Sequence, residues 1–426
     1  MGVLINISRS SIAEIYIIFT LCHDLTMNND KTGIKRVYLD NAAATPLKAE
    51  VFSAMLPFLT EEFGNPSSIH KEGVRARRAV EEARDSVART LEIKSQGVIF
   101  TGNGTESNNL AIFGHIKYLH KVKKIAFQDM EVVTTKIEHP SITGVMEELI
   151  DLGVVVKFIE IDERGIITIP ALEAVLSEKT VLVTFAYANS AVGTVQPVLR
   201  LVRRIRKFEE VKGNEIKVHL DAAQAPLWLP CAFKQLGVDT MALDAGKCNG
   251  PKGVGILATR KNFDLLPIMQ GGGQENELRS GTENTAGIIG MAKALELAQL
   301  NYIERTEKVA KIRNEAITYL QEKIPTVFIN GAQGEERLAN NINFSIPNLD
   351  TEYAVIYLDT HGVACSTKSA CAGAGGGESV VVKTITGDAT RARSTIRFSL
   401  SEHTTIEDIK YAIDCLVKFC EKMSII

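Results

Sequence analysis

The 426-residue chain has one tryptophan, 6% aromatic residues and a net charge of only −3. So small a charge excludes an electrostatic case for nucleic acid or an anionic membrane as partner. The chain also lacks paired cysteines. Cys22, Cys231, Cys248, Cys365, Cys371, Cys415 and Cys420 are scattered, odd in number and without a CxxC pair. This pattern excludes a disulfide framework, offers no zinc site, and points to a reducing, cytoplasmic compartment. Cys415 and Cys420 sit on an amphipathic segment and are expected in the core. No apolar run is long enough to cross a membrane: Ile15–Leu21 is too short, and it lacks the basic flank of a signal peptide. Residues 1–34 are expected to be a poorly structured extension, or the product of a start codon placed before Met27.

The remaining composition, 45% hydrophobic and 23% charged, is that of a globular protein. Between residues 97 and 260, β-branched runs alternate with helix-like segments. Gly97–Thr101, Glu131–Thr135, Val154–Ile159, Thr180–Phe185 and Ile216–Asp221 read as buried strands; Met146–Leu152, Leu172–Ser177 and Val198–Glu209 read as helices between them. That rhythm predicts an α/β fold whose large, mostly parallel sheet is covered on both faces. Beyond residue 283 the pattern becomes α+β. Helices are expected over Thr285–Gln299, Thr306–Lys323 and Ile406–Met423, with strands at Thr326–Ile329, Asn341–Ile346 and Ser394–Leu400. The expected division is a large domain over 59–282 and a smaller one from 35–58 and 283–426.

Ligands in such sheets bind beyond the carboxyl ends of the strands. Lys247 lies at such an end, between two apolar runs and before a Gly-Pro-Lys-Gly turn, where an amine can become a nucleophile or simply snorkel to solvent. Asp221 ends another strand. Thr101-Gly-Asn-Gly-Thr-Glu-Ser-Asn-Asn-Leu-Ala-Ile112 joins a strand to a helix whose N–H groups and dipole suit a phosphate. These three features are expected to converge.

Further motifs are Val37-Tyr-Leu-Asp-Asn-Ala-Ala-Ala-Thr-Pro46, Phe63-Gly-Asn-Pro-Ser-Ser-Ile-His70, Lys136-Ile-Glu-His139 and His219-Leu-Asp-Ala-Ala-Gln224. The set is completed by Gly271-Gly-Gly-Gln-Glu-Asn-Glu-Leu-Arg-Ser-Gly-Thr-Glu-Asn284, Ser366-Thr-Lys-Ser-Ala-Cys371 and Ser394-Thr-Ile-Arg-Phe-Ser399. In this order, from Val37 to the C-terminus, they resemble the cysteine desulfurases, the NifS/IscS-type branch of the class-V, fold-type-I pyridoxal-phosphate (PLP) enzymes.

The resemblance implies an enzyme that converts L-cysteine to L-alanine and passes sulfur through an enzyme persulfide to an acceptor protein, for iron-sulfur cluster or thio-cofactor pathways. Lys247 would hold PLP as a Schiff base and Asp221 would face the ring nitrogen. Gln224 would bond the ring hydroxyl, and His139 would stack on the ring and move protons. Gly104 and Thr105 would donate to the phosphate, and Thr282 would reach the phosphate of a neighbouring subunit in a homodimer. Arg397, with Ser190 nearby, would hold the substrate carboxylate. Cys371, in a loop of glycine and alanine, would be the sulfur-accepting thiolate, and Cys365 a structural residue. No metal is implied.

Four departures from the family pattern are visible. Asp244-Ala245-Gly246 replaces Ser-x-His, which removes two phosphate donors and adds a carboxylate; like charges at that range cost about 1 kcal/mol or more unless Asp244 turns away or is neutralised, for example by Lys252. Ser190 replaces an asparagine, Asn276 an arginine, and the loop after Cys371 is unusually rich in glycine. All four are expected near the site. Alternatives are a related PLP lyase, acting on selenocysteine or by β-elimination, and a non-catalytic dimeric paralogue with weakened PLP binding.

Overall fold

The computed structural model describes residues 35–260, 263–367 and 377–426. The first strand, β1 (Val37–Tyr38), runs parallel to Val363–Ala364, so the start of the described chain is tied to a segment more than 300 residues later. Two helices follow, α1 (Ala49–Thr60) and α2 (Lys71–Leu91). The second is highly charged, yet Gly73, Ala76, Val80, Ala83, Val87, Ala88 and Leu91 recur at helical spacing and form one buried stripe. His70 caps its start by accepting from the Gly73 N–H.

The central sheet has seven strands: β2 (Val98–Thr101), β3 (Glu131–Thr135), β4 (Val155–Ile159), β5 (Thr180–Ala186), β6 (Lys217–Asp221), β7 (Thr240–Asp244) and β8 (Gly255–Thr259). Their spatial order is β2-β8-β7-β6-β5-β3-β4. Strands β3 to β7 pair in parallel, whereas β8 is antiparallel to both β7 and β2. Four helices of seven residues or more pass between successive strands: α3 (Gly104–Lys121), α4 (Pro140–Asp151), α5 (Ile169–Val175) and α6 (Val198–Lys212). Strands β2, β3 and β8 are buried along their whole length, which is why their sequences read as continuous apolar runs rather than alternating ones.

Helices α7 (Thr285–Leu300) and α8 (Tyr302–Lys323) come next, with α7 packed against both α1 and α2. The remainder builds an antiparallel sheet from β9 (Phe328–Ile329), β10 (Asn341–Ser345), β12 (Ser366–Thr367) and β13 (Thr395–Ser399), in the order β12-β13-β10-β9. Strand β11 (Val363–Ala364) is the partner of β1. Helix α9 (Ile406–Lys422) closes the chain behind a Thr405–Asp408 capping box, with Cys415 and Cys420 buried on its inner face as expected. Among the described residues, no helix is long and apolar enough to cross a membrane.

Two details of the fold aim the functional loops. Gly255 at the start of β8 lies so close to the backbone of Asn103 that a Cβ would come within 2.6 Å of it, so a side chain there would push the β2–α3 turn away. The turn after β7 is strapped from outside by the β1 motif. Thr45 donates from both N–H and Oγ1 to the Gly246 carbonyl, at 2.8 and 3.0 Å, and its Oγ1 accepts from the Asn249 N–H. The Asp-Asn-Ala-Ala-Ala-Thr-Pro motif is therefore a clamp on the lysine turn.

Candidate active site

Strands β3, β5, β6 and β7 and the N-terminus of α3 end around one small cleft, with about 50 Å³ open to water. Its walls include Gly104, Thr105, His139, Ser190, Asp221, Gln224, Asp244 and Lys247. Seven of the ten predicted site residues therefore meet there, and Asp244 joins them. The reason is topological: parallel strands place their carboxyl ends, and the helix start after β2, on the same edge of the sheet.

Asp221 is 8% exposed at the end of β6. Its Oδ2 accepts from Asn108 Nδ2 at 2.9 Å and its Oδ1 from the Ala223 N–H at 3.0 Å. A directional chain stands behind it. His219 is fully buried, and burial pushes its imidazole down to about 4, so the ring is neutral at pH 7. Its Nε2 lies 3.0 Å from Asn108 Oδ1, an acceptor, so Nε2 carries the proton and Nδ1 accepts from Thr240 Oγ1 at 2.7 Å. Thr240, His219 and Asn108 thus hand a fixed donor to Asp221. Neither Asn108 nor His219 was assigned a role from sequence. The signal was there in part: His219 and Asp221 are two apart on a strand and so share a face.

His139 caps α4, its Nδ1 accepting from the Ser141 N–H at 3.1 Å and lying 2.8 Å from Ser141 Oγ. With Nδ1 accepting, the neutral ring carries its proton on Nε2. Burial, then the neighbouring Lys247, holds His139 below the ordinary histidine range. Next to it, Glu138 is buried. Burial and, to a smaller extent, Asp221 push its carboxyl up to about 8, against a 2.6 Å hydrogen bond from Thr135 Oγ1. Gln224 donates from Nε2 to the Ala42 carbonyl at 2.9 Å, a second tie to the β1 clamp.

Of the other three predicted residues, two lie elsewhere and the third is outside the described residues. Arg397, 3% exposed on β13, stands behind Ser190 and not on the cleft wall: it donates from Nη1 to the Ser190 carbonyl at 3.0 Å and from Nη2 to Asp40 Oδ1 at 2.7 Å. Its buried Nε has no partner among the described residues. Thr282 is exposed on the loop before α7, away from the cleft. Cys371 and its glycine-rich neighbours lie outside the described residues. Cys365 is packed against the core, and burial, then Asp40, pushes its thiol up to about 12, consistent with a structural residue.

The departures resolve differently. Asn189, not Ser190, organises its turn: Oδ1 accepts from the Ala191 and Val192 N–H groups while Nδ2 donates to the Ile137 carbonyl. Asn276 was expected near the site, but it is exposed and off the cleft, in a left-handed turn with φ of 55° that asparagine tolerates better than most residues. Its neighbour Glu275 forms a buried two-pronged ion pair with Arg84 that anchors this turn. Asp244 neither turns away nor meets Lys252. Its Oδ2 accepts from the Gly104 N–H at 3.0 Å and its Oδ1 from the Gly246 N–H at 2.9 Å. Lys252 instead donates to the Thr45 carbonyl at 3.3 Å.

Residues 37–412 match the aminotransferase class-V family. The cysteine desulfurase IscS of Dictyoglomus turgidum is 40% identical over 389 residues, which is 91% of this chain and 95% of that protein. The chain belongs to the cysteine desulfurase family. A solved NifS-like protein superposes with a TM-score of 0.83 at 32% identity, covering 91% of this chain and all of the other. A second solved structure, SspA in complex with cysteine, matches with a TM-score of 0.71 at 28% identity, over 86% of this chain and 99% of that one. The fold-type-I α/β architecture expected from sequence is the architecture found, and the protein is a cysteine desulfurase-type enzyme.

Proposed function

We propose that this enzyme works with PLP carried covalently on Lys247, taking sulfur from L-cysteine and releasing L-alanine. The observation that carries the reading is the convergence of Lys247, Asp221 and the start of α3 on one cleft of a cysteine desulfurase chain. The residues fit the ring of such a cofactor. Asp221 is a nearly buried carboxylate that lines the cleft while its oxygens accept from Asn108 and the Ala223 N–H, and Gln224 and His139 stand on the same walls. The phosphate end fits less well, since the Gly104 N–H that would receive it already holds Asp244.

When bound, PLP supplies an electron sink for bonds at the amino-acid α-carbon. The protein then orients, protonates and accepts. Asp221, positioned by the Thr240–His219–Asn108 chain, would hold a proton on the ring nitrogen. His139, on the cleft wall with its proton on Nε2, would face the ring and could relay a proton there. Arg397, behind Ser190 with its fork held by Asp40 and the Ser190 carbonyl and its Nε unpaired, would bind the substrate carboxylate by exchanging it for Asp40. Cys371 thiolate forms an S–S bond to the substrate sulfur as the carbon–sulfur bond breaks; the electron pair stays on carbon, which takes a proton and leaves as alanine. Thr282, exposed and off its own cleft, serves the phosphate of a partner copy, which makes the enzyme a homodimer. An acceptor protein then removes the persulfide sulfur.

Borohydride reduction of PLP-saturated protein followed by peptide mapping should place the pyridoxyl group on Lys247, and Cys371→Ser should lose sulfide release while keeping that adduct. An adduct on Lys252, or none at saturation, removes the lysine assignment. Full sulfide release from Cys371→Ser removes the persulfide step.

A further inference from the structure

The place expected to receive the cofactor phosphate is the N-terminus of α3, where Gly104 and Thr105 open the helix at the edge of the cleft. A helix start of this kind attracts anions through its unpaired N–H groups and dipole. In this chain an anion is already there, and the protein supplies it. Asp244 ends β7, and its carboxylate takes the Gly104 N–H with one oxygen and the Gly246 N–H with the other. Asn103 accepts the Glu106 N–H, and Glu106 accepts the Gly102 N–H while pairing with Arg279. Among the described residues no ion pair within 4 Å is made by Asp244: Lys252 donates to the Thr45 carbonyl and Arg279 pairs with Glu106, while Lys247 shares the cleft wall.

We infer that Asp244 is an internal competitor for the phosphate seat, a specificity-determining residue through which this enzyme gives up much of the phosphate's contribution to cofactor binding. The inference rests on the proposed use of PLP. A phosphate reaching the Gly104 N–H must displace the carboxylate or sit against it, and either event spends a charge-assisted hydrogen bond or incurs like-charge repulsion. A neutral ring without phosphate meets neither cost. PLP and pyridoxal should therefore bind this protein with similar affinity, whereas a seat freed of Asp244 should separate them.

Apoprotein of the parent, Asp244→Ser and Asp244→Asn would be titrated with PLP and with pyridoxal, following the visible absorbance of the lysine adduct. Thermal unfolding would confirm that each variant is folded. The expected result is a gain in PLP affinity of at least about tenfold in Asp244→Ser, with pyridoxal changed less than about threefold. Asp244→Asn keeps an acceptor for one N–H without the charge and should show an intermediate gain, which separates charge from lost capping. A parent that prefers PLP over pyridoxal by about a hundredfold or more, or variants in which both ligands shift by the same factor, would overturn the inference and leave the PLP assignment standing. Absence of any Lys247 adduct with either ligand in all three proteins would overturn the PLP assignment itself, and this inference with it.

Discussion

Two aspartates at the ends of adjacent parallel strands divide the cleft into two unlike halves. Asp221 ends β6 and Asp244 ends β7; each carboxylate is held by two N–H donors, and each takes one of them from α3. The donors differ in kind. Asp221 receives a side-chain amide from Asn108, itself fixed by buried His219 and Thr240, so its position is built from residues dedicated to it. Asp244 receives backbone N–H groups, including the first of a helix, which are the groups a phosphate would use. The same functional group is thus presented to the cleft at one end and turned against it at the other. Strand position sets where a carboxylate stands; its donors decide whether it can serve a ligand.

The sharpest way to break this comparison is to remove each carboxylate in turn. Asp221→Ala should lower cysteine turnover at saturating PLP by about a thousandfold, the upper range for one preorganised electrostatic partner. Asp244→Ala should act in the opposite sense on cofactor binding, raising the fraction of protein carrying PLP when PLP is limiting. Turnover assays with excess PLP, and absorbance at substoichiometric PLP, measure the two effects. If both variants lost cofactor and activity alike, the two aspartates would be doing one job.

A smaller effect separates Asp221 from its other carboxyl neighbour. Glu138 has a folded-state value near 8 against an ordinary 4.5, with burial as the main cause and Asp221 a lesser one. Its value is raised on folding, so the stability it contributes is fully present below about pH 4.5 and is lost as pH rises towards 8. Glu138→Gln removes that loss. The stability difference between variant and parent should grow by ~3 kcal/mol from pH 5.5 to pH 8, at about 1.4 kcal/mol per pH unit. Buried His219 and half-buried His139 have lowered values and oppose this trend: their contribution is lost as pH falls below about 6.5, in parent and variant equally. Urea unfolding at three pH values would measure it. A constant difference would mean that Glu138 is already ionised beside Asp221.

Much of this was legible in the sequence, and what was not has identifiable causes. The runs at Val98–Thr101, Glu131–Thr135, Thr180–Ala186 and Lys217–Asp221 are largely buried and so kept a clear apolar signature, and the cleft residues followed from strand ends. The long helix Lys71–Leu91 was not anticipated, because its inner face is largely alanine, valine and glycine beneath many charges. The antiparallel direction of β8 was not visible either, since a buried strand reads the same both ways. Asn276 was placed near the site by its motif, but the positive backbone angles of Glu275–Glu277 carry it outward. For Asp244, sequence showed a misplaced charge. It could not show that its partner is a backbone N–H 140 residues away.

The smallest expected effect bears on why Asp244 is tolerated at all. A lysine five to eight residues from a carboxylate, across a tight turn, is the obvious neutralising partner, and Lys252 is the one the sequence suggests. In the structure its ammonium reaches the Thr45 carbonyl at 3.3 Å, on the clamp side of the turn. Two backbone N–H groups, one with the α3 dipole behind it, stabilise the carboxylate without a counter-ion, an effect worth typically 0.3–1 kcal/mol for the dipole alone. Lys252→Met keeps the apolar stem that packs along the turn and removes only the charge. If the backbone holds Asp244, PLP affinity should change by less than about twofold, and melting should shift only by the loss of one partly exposed hydrogen bond, about 1 kcal/mol. If Lys252 were the neutralising partner, its loss would leave Asp244 fully charged against the phosphate and weaken PLP binding by tenfold or more, on the order of 1.4 kcal/mol. Equilibrium titration of the Lys252→Met apoprotein with PLP distinguishes these outcomes, and a tenfold loss would return Asp244 to an ordinary ion pair.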